Sequence, residues 1–330
     1  MEKFLALWTE VNERGKVHTS LQSLPFSTLK SNEVLIRVVY SSLNYKDALS
    51  ANGHKGITRS FPHIPGIDAA GTIVSDCTGT FDEGEEVLVT GFDLGMNTHG
   101  GLSQFISVPA NWVIAKPQGL TLAQAMQWGT AGVTAAMAFD QLQKNDILPE
   151  KGPILVSGAT GGVGMIALQL GQKLGYEVHA FTRKSNHISF LKELGAKHVI
   201  ALDEFLQDTQ KALYPTTYAG AVDTVGGDVL VKIIKSLQHA GAVAACGMAK
   251  DTELPLQIYP FILRGIKLLG IYSADSPLAY KTEIWHKIST SWNLNISKIT
   301  SEIPLTEAPI YLKKMLEGQS FGRTLVRINS

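Results

Sequence analysis

The sequence predicts an α/β protein of two domains, a β-rich unit and a doubly wound parallel sheet. Three observations carry that prediction. The first third has short apolar strands punctuated by glycine and proline, six near-continuously apolar strands alternate mostly with helical segments from residue 154 onward, and a glycine-rich turn joins the first of these strands to a helix. The length agrees, because 330 residues with 45% hydrophobic content exceed one usual domain and suffice for more than one core.

At the N-terminus MEKFLALWTEVNERGK alternates apolar and charged residues, which predicts a first strand. It lacks the long apolar core and small-residue cleavage site of a secretory signal. Val34 to Tyr40 and Gly71 to Val74 are rich in β-branched residues, and Val87 to Thr90 follows the turn FDEGEE. After Pro117 the segment TLAQAMQWGTAGVTAAMAFDQL carries helix formers at helical spacing and opens the second domain. That domain's strands read ILVS (154–157), EVHAFT (177–182), HVIAL (198–202), AVDTV (221–225), AVAACG (242–247) and IKLLGIY (266–272). Apolar runs spaced this way predict a parallel sheet covered on both faces. An amphipathic segment around Tyr280 to Trp292 and a final strand, RTLVRI, predict a return to the first domain. The expected boundaries are 1–121, 122–272 and 273–330.

Composition narrows the function. With 29 basic and 29 acidic residues the formal charge is zero, so no general attraction to nucleic acid or to an anionic membrane is expected. No apolar stretch approaches the ~20 residues of a membrane-spanning helix, and the expectation is a soluble, cytoplasmic protein. Cys77 and Cys246 are far apart with no CxxC spacing, which argues against a disulfide framework or a thiolate zinc site; both read as small packing residues. The nine histidines form no HExxH pattern.

The strongest motif is Ser157, Gly158, Ala159, Thr160, Gly161, Gly162, Val163, Gly164, between the strand ILVS and the helix GVGMIALQLGQKLG. Val163, Ile166, Ala167, Leu170 and Leu174 recur on one helical face, and Gly175 stands where a left-handed C-cap would end the helix. A dinucleotide's diphosphate needs backbone N–H groups at a helix N-terminus, where a Cβ would block its approach. The bland alternative is a tight structural turn, but the strand, turn and helix follow in the required order. No Lys and Ser or Thr follow at phosphate-loop spacing, which disfavours kinase-like transfer. In an NAD site an Asp or Glu about 20 residues beyond the glycines bonds the adenosine ribose. Here Thr182, Arg183 and Lys184 stand there: nothing repels a 2′-phosphate and two cations attract it, so NADP(H) is the expected cofactor.

Over nearly its whole length the chain resembles the zinc-independent quinone oxidoreductases of the medium-chain dehydrogenase/reductase superfamily, in particular the YhdH/YhfP type, which includes acryloyl-CoA reductases. The resemblance rests on SSLNYKDAL, FPHIPGIDAAGTIV, GGLSQFISVPANWV, MQWGTAGVTAAMAF, SGATGGVG, FLKELGA, PFILRGIKLLGI and GRTLVRI. It implies a GroES-like catalytic domain interrupted by a Rossmann-type domain, and a homodimer paired through the Rossmann sheet edge. The resemblance also implies that zinc-dependent relatives carry a Cys at the position of Asn44, a His at that of Ile67 and a further Cys near Thr130, besides a separate four-cysteine lobe. This sequence has none of these ligands. Without a Lewis acid to polarise an alcohol or its carbonyl, hydride is expected to go to an acceptor that is already electron-poor.

Asn44, Tyr45 and Asp47 are expected at a loop edge where a strand ends and a helix starts. Hydride addition to an enone or enoyl thioester leaves an enolate that needs hydrogen-bond donors and a proton. Tyr45 is the candidate donor, with packing under the helix as its alternative. Asn44 is a candidate to bond substrate or ribose, and Asp47 to act in catalysis or to cap the helix. Asp68 is a candidate supporting carboxylate, and His63 a packing residue. By resemblance Gly247, Ile271, Tyr272 and Ser273 line the nicotinamide. Arg264 and Arg323 are candidates to reach the charges of substrate or cofactor. The expected activity is reduction of an enoyl thioester, with quinone or enone reduction as an alternative and a non-catalytic NADPH-binding sensor as a second.

Overall fold

The computed structural model describes residues 3–29, 33–207 and 211–328. The chain forms two compact units. One comprises Met1–Thr130, Ser273–Thr290 and Asn295–Ser330, the other Ala131–Tyr272 and Ser291–Leu294.

In chain order the strands β1 (Lys3–Val11), β2 (Val17–Pro25) and β3 (Val34–Ser42) precede helix α1 (Tyr45–Ala51), after which come β4 (Asp68–Asp76), β5 (Glu86–Thr90), β6 (Phe105–Val108), β7 (Ile114–Ala115) and the helical stretch α2 (Leu122–Lys144). Residues 1 and 2 of the expected first strand lie outside the described residues. The next elements are β8 (Ile154–Val156), α3 (Gly162–Lys173), β9 (Val178–Thr182), α4 (Ile188–Glu193), β10 (His198–Ala201), α5 (Leu202–Phe205), β11 (Tyr218–Asp223), α6 (Gly227–Ser236), β12 (Leu237–Ala245), α7 (Tyr259–Arg264) and β13 (Lys267–Gly270). The chain closes with α8 (Leu278–Ser289), β14 (Thr300–Pro304), α9 (Ala308–Leu316) and β15 (Arg323–Arg327).

In the first unit β3 sends Val34, Ile36 and Val38 into a core shared with Leu7, Val87, Ile106 and Val326, the period-2 burial that its β-branched alternation predicts. The sheet runs β14-β15-β3-β4-β5-β7, with β6 also on β3. β15 pairs antiparallel with β3, Leu325 opposite Ser42. The last strand therefore lies beside the strand that leads into α1.

In the second unit six strands run in the order β10-β9-β8-β11-β12-β13. Every pairing is parallel. The strand order reverses between β8 and β11, which opens a crevice at their carboxyl ends. Gly175, at φ +86, follows the end of α3 in the left-handed conformation expected of its cap.

The sequence reads as one helix through residues 121–142, but α2 is broken at Gly129, whose φ is 49 and ψ −157. Only glycine adopts that backbone readily. Cys77 is exposed rather than packed. Among the described residues no helix is long and apolar enough to cross a membrane.

Candidate active site

In the first unit the end of β3, the start of α1, β4, the Gly129 break and β15 converge on one buried carboxylate. Asp68 is fully buried. Its Oδ2 accepts from Ser42 Oγ at 2.6 Å and Asn44 Nδ2 at 2.7 Å, and its Oδ1 accepts from Thr130 Oγ1 at 2.5 Å. The Thr130 backbone N–H reaches both oxygens, at 3.0 and 2.9 Å. The break at Gly129 delivers that N–H. A Cβ there would stand 2.5 Å from Asp68 Oδ2 and from Ser42 Oγ, and 2.8 Å from Arg323 Nη2.

Arg323 supplies the positive charge. It is 2% exposed and lies 4.0 Å from Asp68 Oδ2. Its guanidinium donates to Ser42 Oγ at 2.7 Å, Gln127 O at 2.9 Å, Leu43 O at 3.2 Å and Asn44 Oδ1 at 3.3 Å. This corrects the expectation that Arg323 reaches a phosphate, because its donors are spent inside the protein. The Asn44 amide is likewise bonded to Asp68, Ser42 O and Arg323, and so ties the cluster together.

Asp47 is also fully buried. Oδ2 accepts the Asn44 N–H at 2.7 Å, capping α1, and Oδ1 accepts the Ile67 N–H at 2.8 Å. Burial, and then the neighbouring Asp68 charge, push its carboxyl up to about 7. Both oxygens of this carboxyl are thus engaged in capping α1 and anchoring the loop at Ile67. Beside it Tyr45 turns outward, 52% exposed, and among the described residues no hydrogen bond occupies its hydroxyl. His63 is buried near the His99 ring, and burial holds it down to about 4, in keeping with a packing role.

The residues expected at or near the zinc-ligand positions, Asn44, Ile67 and Thr130, are an amide, an isoleucine and a hydroxyl. Two of these, Asn44 and Thr130, are bonded to Asp68. Among the described residues no group of three or more His, Cys, Asp or Glu is arranged to hold a metal ion.

The second unit gathers most of the cofactor candidates at the carboxyl ends of its strands. Gly158, at φ +58, turns the chain out of β8, and a Cβ on it would overlap the Thr224 hydroxyl. A Cβ on Gly164 would overlap the Gly158 carbonyl oxygen. The turn, with Ala159 and Thr160 buried within it, leads through Gly161 as N-cap into Gly162 and Val163 at the start of α3, where the first helical N–H groups lack intrahelical partners. These residues fit a diphosphate.

At the end of β9 the buried Thr182 hydroxyl accepts the Lys184 N–H at 3.0 Å and lies 3.5 Å from the Thr160 hydroxyl. Arg183 is exposed, and burial with the Arg183 charge lowers the Lys184 ammonium below the ordinary lysine range. Asp223 and Thr224, which the sequence did not single out, brace this edge together with Ser157 of the glycine motif. Ser157 Oγ donates to Asp223 Oδ1 at 2.5 Å and accepts the Thr224 N–H at 2.9 Å. The signal was the polar DT pair ending an otherwise apolar strand. Gly247 lies two residues beyond β12, where a Cβ would overlap Thr224 O, and the Ile271 N–H bonds Ala245 O at 2.9 Å. Tyr272 is exposed and Ser273 buried.

Arg264, expected to reach the charges of a substrate, is half-buried and engaged with the protein's own backbone. Its guanidinium donates to the carbonyls of Tyr214 at 2.6 Å, Lys235 at 3.0 Å and Leu237 at 3.1 Å, tying α7 to the start of β12.

Residues 30–118 match the alcohol dehydrogenase GroES-like domain and residues 162–289 the zinc-binding dehydrogenase family. The putative quinone oxidoreductase YhfP of Bacillus subtilis is 41% identical over 98% of this chain and 99% of its own. Its crystal structure with NAD bound superposes with a TM-score of 0.96, over 99% of this chain and 100% of that one. The probable acrylyl-CoA reductase AcuI of Escherichia coli is 41% identical over 96% of this chain and 97% of its own. The crystal structure of Escherichia coli YhdH with bound NADPH, also 41% identical, gives a TM-score of 0.95 over 98% of this chain and 100% of that one. With its GroES-like and parallel-sheet units, this chain belongs to the medium-chain dehydrogenase/reductase superfamily and, within it, to the YhdH/YhfP group of nicotinamide-dependent oxidoreductases.

Proposed function

We propose that the chain is an NADPH-dependent reductase that adds hydride and a proton across the activated double bond of a small enoyl thioester of the acryloyl-CoA kind. The observation that carries this reading is the Asp68 cluster. The residues at or near the expected zinc-ligand positions are an amide, an isoleucine and a hydroxyl, with the amide and the hydroxyl bonded to Asp68, the wrong donor set for polarising an alcohol; the amide directly precedes Tyr45. The chain's resemblance to AcuI points the same way.

When bound, NADPH would supply the hydride. Gly161, Gly162 and Val163 would hold its diphosphate, and Arg183 with Lys184 its 2′-phosphate. Asn44, fixed between Asp68 and Arg323, sets the start of α1, and Asp47 fixes its first turn. Tyr45 then presents its hydroxyl to the enolate and gives up the proton. The name of YhfP favours a second reading, reduction of quinones, with the same residues in the same roles.

Purified protein is expected to oxidise NADPH in the presence of acryloyl-CoA, faster than NADH and without change on adding a chelator. Tyr45→Phe is expected to lower kcat by roughly a hundredfold with an unchanged melting temperature, since the ring is exposed. Turnover of benzoquinone alone would replace this reading with the second.

We also infer a homodimer formed through β13. That strand is an edge of the parallel sheet, and exposed Met248, Ile258, Tyr259, Ile262, Leu263 and Leu268 cluster in sequence around it.

A further inference from the structure

Lys281, on α8, is 0% exposed. Its Nζ donates to Thr90 O, at the end of β5, at 2.7 Å and to Ala274 O at 2.8 Å. It also lies 3.3 Å from the centre of the Phe92 ring, which stacks on Trp112 at 5.5 Å and 4°. The charged groups acting on it are Asp68 from β4, Asp275 from the segment before α8, and Lys46 from α1, and none of them is hydrogen-bonded to it.

A fully buried ammonium with no bonded anion destabilises a fold, and an apolar side chain of the same length would fill the space without that penalty. Burial pushes this one down from 10.5 to about 7. The charge therefore does something other than hold the core together.

What it holds is backbone. Phe92 is not glycine, yet it adopts φ +54, and its N–H donates to Ala274 O at 2.6 Å. That carbonyl thus accepts from both Phe92 and Lys281. A Cβ on Gly91 would stand 2.7 Å from Ala274 Cα and O, so the two segments touch directly. Ala274 follows Ser273, where the chain re-enters the first unit.

We infer that Lys281 is a positioning residue for hydride transfer, its buried ammonium fixing Phe92 and the Ser273–Ala274 backbone at a cost to stability. The inference rests on the reductase reading above.

The test compares wild type with Lys281→Met and Lys281→Gln in the full chain, measuring kcat and KM with NADPH and acryloyl-CoA, and unfolding, across pH. Both variants are expected to fold, with Lys281→Met at least as stable as wild type near pH 6. The folded-state pKa lies below the unfolded one, so the unfolded chain binds the extra proton between about 7 and 10.5. Wild-type stability should therefore rise relative to Lys281→Met across that window. At neutral pH kcat should fall at least about tenfold in both variants, with the NADPH KM changed less than about threefold. The wild-type decline in kcat as Lys281 loses its proton should be missing from both. Wild-type kcat in the variants, or stability lost in step with activity at every pH, would overturn the inference alone. A wild type that reduces neither acryloyl-CoA nor quinone would overturn the reductase reading and the inference with it.

Discussion

Asp68 shows how much one buried side chain can organise. It receives five hydrogen bonds from four donor groups and faces Arg323, so its charge is compensated as a buried charge must be. Asp68→Asn would leave the guanidinium without its carboxylate and set an NH₂ against groups that themselves donate. The expected loss is roughly 3–5 kcal/mol of stability, read as a shifted denaturant midpoint with an unchanged slope. A variant within about 1 kcal/mol of wild type would show that the hydrogen bonds, and not the charge pair, hold the cluster. Asp68 was legible as a supporting carboxylate, from its place in PGIDAAG. Arg323 was not, because a guanidinium read along the chain looks alike whether it faces a phosphate or a buried aspartate.

The strand, turn and helix of the cofactor site are local, and they were legible for that reason: ILVS, the glycines and the helical face lie within 30 residues or so, with Gly175 closing the helix. The individual glycines separate by what surrounds them. Gly164 is packed under the Gly158 carbonyl, so Gly164→Ala is expected to distort the turn and lower both the melting temperature and NADPH affinity. A Cβ on Gly161 would meet only Gly158 O, at 3.3 Å, and its φ is an ordinary −86. Gly161→Ala is expected to cost less than about 1 kcal/mol of stability while weakening NADPH binding at least about tenfold in a fluorescence titration, because the methyl stands where a diphosphate approaches. Equal affinity in that variant would move the anion away from the α3 terminus. The break in α2 was not legible. What demands it is the approach of Asp68, Ser42 and Arg323, none of them near Gly129 in sequence.

At the scale of the whole molecule, the exposed apolar side chains around β13 call for a partner surface, and a sheet edge offers one that a second copy matches by symmetry. Ile262, at 71% exposure, contributes least to its own unit. Ile262→Glu is expected to convert a dimer to a monomer by sedimentation, with the fold intact and the unfolding midpoint no longer dependent on concentration. A wild type that is monomeric at every concentration would leave those residues to another role.

The sequence by itself determined the architecture, since period-2 and near-continuous apolar runs, turns and the glycine motif are set by neighbours along the chain. It also determined the class of chemistry, through which residue types stand at the metal-ligand positions and at the end of β9. Only the tertiary structure decided what the long-range charges do. Pairing of β15 with β3 turned Arg323 inward, α7 tied Arg264 to three carbonyls, and α8 buried Lys281 against Thr90, Ala274 and Phe92. A charged side chain takes its role from what surrounds it in space, and those surroundings come from segments far apart in the chain.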